Sequence, residues 1–282
     1  MVIKQESLNM DPRTKKIFRD NSTSYYYSSL FFPKETRKDV FKLYAYVRKA
    51  DDFVDKVPQD IEGFNDYRDE TFSALEGEKT DDWVIQQFVE LTERKKIQKE
   101  WIKAFLDSME KDLHKSRYET LDETLEYIYG SAEVIGLMMT RILELEEESE
   151  KPAKMLGRAM QYCNFIRDIK EDNTLGRQYL PKEDMERHGL ENLEHQHVED
   201  NKDAFESFMH EQIERYWKWE EKGVEGFKMI PYRTRIPVMV SADLYEWTAE
   251  KIRPDPLIVY DRKVRPSKTV ITGKLIKNLR GF

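Results

Sequence analysis

Tyr44, Arg48, Asp51 and Asp55, in the stretch YAYVRKADDFVD, are spaced i, i+4, i+7 and i+11. On a helix turning about 100° per residue that spacing stacks them along one stripe, with Asp52 on its margin. A second stretch, QYCNFIRDIKEDNTLGRQYLP, repeats the arrangement. Gln161, Asn164, Asp168 and Asp172 make a row, flanked by Arg167 and Glu171 and followed by Gly176 and Arg177. Alone, the first row reads best as a solvated face held by Arg48 and Asp52 one turn apart. Two rows that both combine Asp-x-x-x-Asp with a neutral hydrogen-bonding side chain point elsewhere. If they face each other, each carboxylate pair at about 5 Å repels by roughly 3 kcal/mol at an effective dielectric near 20, and a cation must offset the charge. All-oxygen ligation suits hard divalent ions, and Mg²⁺ is commonly held by one or two carboxylates plus substrate phosphates. The expected chemistry is therefore a Mg²⁺-diphosphate clamp on Asp51, Asp55, Asp168 and Asp172, with Asp52 and Glu171 as second choices and Mn²⁺ as an alternative ion.

Positioning two such rows requires helices with apolar flanks, and both rows have them. Leu43, Val47, Ala50, Val54 and Val57 run beside the first, and Met155, Ala159, Tyr162, Ile166 and Ile169 beside the second. Helical spacing of apolar residues recurs over 13–30, 36–57, 61–76, 81–115, 119–146, 152–172, 203–226 and 233–252. Pro33, Pro58, Gly77 and Pro152 punctuate it, and a looser run from Asn173 to about Asp200 holds Gly176, Pro181 and Gly189. Only 11 Gly and 10 Pro occur in 282 residues, and no strand, fixed repeat or domain-dividing linker stands out. One all-α domain spanning 1–282 is expected, with 266–282 as a weakly structured basic tail.

Charge and cysteine usage exclude several functions. The net charge is −8 with basic residues mixed among acidic ones, so nucleic acid is not an expected partner. Cys163 is the single cysteine, so no internal disulfide forms, and its apolar flank makes it a packing residue rather than a nucleophile. With neither a signal-peptide pattern nor an apolar run of spanning length, a cytoplasmic location is expected. The Glu194-x-x-His197 spacing lacks a second copy on an apolar helix and reads as solvated. Oligomeric state is not legible.

With both rows in hand, the chain resembles the squalene/phytoene synthase family, the head-to-head isoprenyl diphosphate synthases, along nearly its whole length. STSYYYSSLFFP (Ser22 to Pro33) resembles the family's N-terminal segment, and YAYVRKADDFVD its first aspartate-rich motif. YIYGSAEVIGLMM (Tyr127 to Met139) resembles its cavity helix, and NFIRDIKEDNTLGRQYLP its second aspartate-rich motif. Tyr245 and Arg262 lie at the family's spacing for residues that reach the diphosphate. Many phytoene synthases carry Ala-Gly where this chain has Ala132 and Glu133, and Glu133 is left without a role.

The resemblance implies an isoprenoid synthase-type helical bundle with a central cavity. It further implies condensation of two geranylgeranyl diphosphates through prephytoene diphosphate to phytoene. Farnesyl diphosphate giving C30 dehydrosqualene or squalene is the alternative. Ser22, Ser24, Tyr44, Arg48, Gln161, Asn164, Tyr245 and Arg262 become candidate diphosphate donors, and Tyr25, Arg167 and Arg177 further substrate-binding residues. Tyr25, Tyr26, Tyr127, Tyr129, Phe165, Met138 and Met139 are candidates to line a dry cavity favourable to carbocations. The chain shows no Gly-rich dinucleotide fingerprint, and no NADPH is expected in the leading reading. Family members that serve as assembly factors have lost catalytic aspartates, whereas all four are present here. From Arg262 to Phe282 there are seven Lys or Arg and no acidic residue, so weak contact with anionic lipid is also considered.

Overall fold

The computed structural model describes residues 13, 14, 16 and 28–280. Among them the secondary structure is helical apart from one isolated bridge between Arg117 and Gln178. The first layer comprises α1 (Lys34–Asp55), α2 (Ile61–Leu75), α3 (Trp83–Lys95) and α4 (Lys99–His114). Next come α5 (Leu121–Ile128), a π-helical turn (Tyr129–Glu133) and α6 (Val134–Ile142). The second half holds α7 (Glu150–Arg167), α8 (Ile169–Thr174), α9 (Lys182–Arg187), α10 (His195–Asp200), α11 (Lys202–Val224), α12 (Tyr232–Ile252), α13 (Ile258–Asp261) and α14 (Lys268–Arg280).

Helix α7 is the centre of the bundle. It packs against α11, α6, the π turn and α12. Close approach requires small residues: a Cβ on Gly136 would sit 2.4 Å from the Ala153 carbonyl oxygen, and one on Gly157 2.6 Å from that of Ala132. Glu133, without a role from sequence, is 1% exposed in this seam and accepts from Arg158 Nε on α7 at 2.6 Å. Side-chain caps set where several helices begin. Asp60 accepts from Gly63 N at the start of α2, and Asp82 from Val84 N and Ile85 N at the start of α3.

The apolar stripes expected beside the two rows are buried at Leu43, Ala50 and Val54 on α1 and at Ala159, Tyr162 and Ile166 on α7. Val57 is not: α1 ends at Asp55, and Val57 is 83% exposed beyond it. Three further expectations are corrected. The helix read over 81–115 is two helices, because Lys96 adopts the left-handed region (φ 54°) and its N–H closes on Thr92 O. The helix read over 152–172 is interrupted at Asp168 (φ −101°, ψ 15°). The tail read over 266–282 is helical from 268 to 280. Ile271 packs with Ile236, Val240 and Leu244 of α12, and Asn278 Nδ2 donates to Asp243 at 2.6 Å.

Candidate active site

The last turns of α1 and α4 and the helix α8 meet around one arginine. Arg177 is 7% exposed. Its Nη1 donates to Asp55 Oδ1 at 2.9 Å and Tyr179 Oη at 3.3 Å, and its Nη2 to the carbonyls of Val54 at 2.6 Å and Asp112 at 3.4 Å. Its own N–H donates to Asp172 O at 2.8 Å. One residue thus ties the end of the first aspartate row to the backbone of the second.

Within each row the carboxylates are not equivalent. Asp55 is paired with Arg177, and Asp52 with Arg48 Nη2 at 2.5 Å. Asp168 accepts twice from Arg167 (2.8 and 2.5 Å) and lies 2.9 Å from Lys263 Nζ. Burial pushes Asp168 up, but Arg167 and Lys263 outweigh it and hold the carboxyl below its usual range. Asp51 and Asp172, both half-buried, have no ion-pair partner among the described residues. Burial first, then Asp55, push Asp51 from 3.8 up to about 8 against the pull of Arg48. Burial and Asp168 push Asp172 well above the carboxylate range against the pull of Arg177.

A residue that sequence reasoning missed joins the two rows. Asp112, at the end of α4 and 7% exposed, accepts from Tyr127 Oη at 2.7 Å and Tyr179 Oη at 2.9 Å. Burial dominates in raising it to about 6, with the charge of Asp55 adding and Arg177, Tyr127 and Tyr179 opposing. The signal was present, since Asp112 continues the Trp101, Phe105, Ser108 stripe at i, i+4, i+7 and i+11. Behind the carboxylates the rings gather. Tyr179 stacks on Phe165 at 4.4 Å between centroids and lies 5.1 Å from Tyr127 and 5.8 Å from Tyr118.

Of the remaining expected residues, Gln161 and Asn164 lie together, Asn164 Nδ2 donating to Gln161 Oε1 at 3.2 Å. Asn164 Oδ1 is buried with no donor among the described residues. Tyr44 is half-buried against the core beside Arg48. Tyr245 is 8% exposed, and its carbonyl accepts from Cys163 Sγ at 3.7 Å, next to Arg167. Cys163 itself is buried, its thiol pushed up to about 12 by burial. Met138 is buried and Met139 half-buried against the core. Tyr129 is not part of the interior. It is 39% exposed with Lys154 Nζ 5.8 Å from its ring, because residues two apart on a helix point to opposite sides and Tyr127 takes the inner one. Arg262 is exposed, and its neighbour Lys263 reaches the second row. Ser22, Ser24, Tyr25 and Tyr26 lie outside the described residues.

Helices alone, two aspartate rows and an aromatic wall define an all-α isoprenoid synthase fold. The crystal structure of a dehydrosqualene synthase in complex with ligand matches at a TM-score of 0.86, with 25% identity over 96% of each chain. The chain belongs to the squalene/phytoene synthase family, whose signature matches residues 18–270. The 15-cis-phytoene synthase of Enterobacter agglomerans is 29% identical over 247 residues, 82% of each protein. The chloroplastic phytoene synthase of an Oncidium hybrid cultivar is 25% identical over 91% of this chain, which spans 64% of that enzyme's length. No helix among the described residues is long and apolar enough to cross a membrane.

Proposed function

We propose that this protein is a Mg²⁺-dependent prenyltransferase that joins two geranylgeranyl diphosphates head to head, through prephytoene diphosphate, to phytoene with release of diphosphate. The observation that carries the reading is the pair of cation-poor carboxylates, Asp51 and Asp172, one in each row joined by Arg177. Neither is comfortable as an anion without a cation nearby. The donor set fits Mg²⁺: all oxygen, with Asn164 Oδ1 buried and short of a donor. No three His, Cys, Asp or Glu side chains among the described residues close on one point. An ion held by these rows needs phosphate oxygens and water to complete its shell, and Mn²⁺ fits the same donors.

When bound, the ion neutralises charge on the diphosphate as its bond to carbon breaks. The chain's own part is to receive and orient the substrate. Arg48, Arg167, Gln161 and Asn164 line the rows as diphosphate donors, with Tyr44 and Tyr245 packed behind them. Tyr127, Phe165 and Tyr179 offer ring faces to the allylic cation and exclude water from it. Joining two C20 units to phytoene releases two diphosphates and two protons and exchanges no electrons with a cofactor, so NADPH has no role in this reading.

The dehydrosqualene synthase structure favours a second reading, in which farnesyl diphosphate gives a C30 product. A very apolar product also suits a cytoplasmic enzyme touching a membrane. Exposed Ile276 and Leu279 on the basic α14 support such contact, and serine at both positions should reduce sedimentation with anionic vesicles. The deciding experiment is product analysis of purified protein with Mg²⁺ and geranylgeranyl or farnesyl diphosphate, each with and without NADPH. A C40 hydrocarbon formed without NADPH supports the first reading and a C30 product the second. No product from either substrate overturns both.

A further inference from the structure

Lys263 lies in the segment linking α13 to α14, and its Nζ is 2.9 Å from Asp168 Oδ1 and 3.3 Å from Glu171 Oε1. The motif spacing points one residue earlier, to Arg262. The backbone explains the exchange. Arg262 is extended (φ −155°, ψ 151°), so consecutive side chains leave on opposite sides, and with Arg262 facing solvent Lys263 faces the row. The segment is held against α8 from the other side, where Lys170 Nζ donates to Tyr260 O at 2.6 Å and Tyr260 Oη donates to Leu193 O at 2.6 Å.

Asp168 already has a bidentate arginine, so Lys263 shares Asp168 with Arg167 and offsets Glu171. Asp172, one turn on, has none among the described residues. Of the two cations on Asp168, Lys263 is the more accessible, its side chain 25% exposed against 17% for Arg167. Lysine is a point charge on a flexible stem with no fixed fork, unlike Arg177, whose planar head is locked by four acceptors. One of these cations is built to stay and the other to leave.

We propose that Lys263 is a tethered counter-ion of the second carboxylate row. It neutralises Asp168 and Glu171 while the site holds no anion, and swings to the diphosphate oxygens when substrate enters, releasing Glu171 and leaving Asp168 to Arg167 alone as the divalent ion arrives beside Asp172. The inference rests on the diphosphate reading above. Its consequence is an order of binding: the ammonium competes with a divalent cation arriving alone and cooperates with one arriving beside diphosphate.

The test is binding of Mn²⁺ to the full chain, followed by the electron paramagnetic resonance of the free ion, with and without inorganic diphosphate. For wild type, Mn²⁺ alone binds weakly and diphosphate tightens it. In Lys263→Met, Mn²⁺ alone binds about tenfold tighter and diphosphate in the presence of Mn²⁺ about tenfold weaker, as loss of one partly screened charge at contact distance requires. Lys263→Gln, which keeps a donor without the charge, behaves the same way. Arg265→Met, an equal charge change on an exposed neighbour, moves neither constant. Opposite shifts for Mn²⁺ and diphosphate establish the counter-ion. Unchanged constants, a parallel loss of both, or failure of both Lys263 variants to fold overturn it and leave Lys263 as a brace. If wild type binds neither Mn²⁺ nor diphosphate, the diphosphate reading itself fails.

Discussion

Replacing Asp51 by asparagine should stabilise the ligand-free protein at alkaline pH while abolishing turnover. Burial, then Asp55, Asp112 and Asp52, raise this carboxyl from 3.8 to about 8 despite Arg48. Every tenfold gain in proton affinity is worth about 1.4 kcal/mol, so a rise of this size sets a ceiling of about 6 kcal/mol. Water reaches a half-buried side chain, and about 2 kcal/mol is a realistic remainder. The sign follows from linkage: a folded-state value above the unfolded one means the native form keeps a proton that the unfolded chain has lost. The stabilising contribution is complete below about pH 3.8 and is lost as pH climbs through about 8. Asparagine has nearly the same shape and does not titrate. The stability gap between Asp51→Asn and wild type should widen in favour of the variant by about 2 kcal/mol between pH 4 and pH 8, roughly 4 °C in Tm at the upper end. The assay is urea and thermal unfolding in EDTA across that range, with turnover measured in parallel and a loss of at least about a hundredfold expected. A gap that stays flat with pH, a variant less stable at pH 8, or near-normal turnover would refute the electrostatic account of the first row.

Asp112→Ala strips the acceptor from two buried tyrosine hydroxyls. It should cost about 3 kcal/mol in urea unfolding near pH 6, less at pH 8, where removal of a carboxyl raised to about 6 offsets part of the loss. Gly136→Ala places a Cβ 2.4 Å from Ala153 O in the α6–α7 seam. It should lower stability by about 1–3 kcal/mol, read as a lower Tm, unless the helices separate without cost. Cys163, buried and with its thiol pushed up to about 12, should resist a thiol reagent at pH 8 until urea unfolds the chain. Cys163→Ala should retain turnover within about twofold, because the packing reading gives the thiol no chemistry.

What was legible in the sequence was what a helix makes local. The rows at 44–55 and 161–172 and most of their apolar flanks follow from a 3.6-residue period. What escaped either has no breaker residue to mark it or depends on partners distant in the chain. Lys96 ends α3 without Gly or Pro to announce it, so 81–115 read as one helix. Residues 266–282 read as a tail because four basic residues obscured the apolar positions Val270, Ile271 and Leu275, and their receiving surface on α12 cannot be seen from the segment itself.

Asp112 belongs to both categories. Its place on the Trp101 and Phe105 stripe is visible, but its acceptors are used by Tyr127 and Tyr179, the latter 67 residues away. Four aspartates counted along two helices suggest a symmetric clamp. Tertiary structure breaks that symmetry: Arg177 takes Asp55, Arg167 and Lys263 take Asp168, and each row is left with one aspartate that has no ion-pair partner among the described residues. In the proposed reading it is this charge deficit at Asp51 and Asp172, rather than the number of aspartates, that a divalent ion answers. Which member of each row the protein's own cations have claimed is a question of packing that no periodicity can answer.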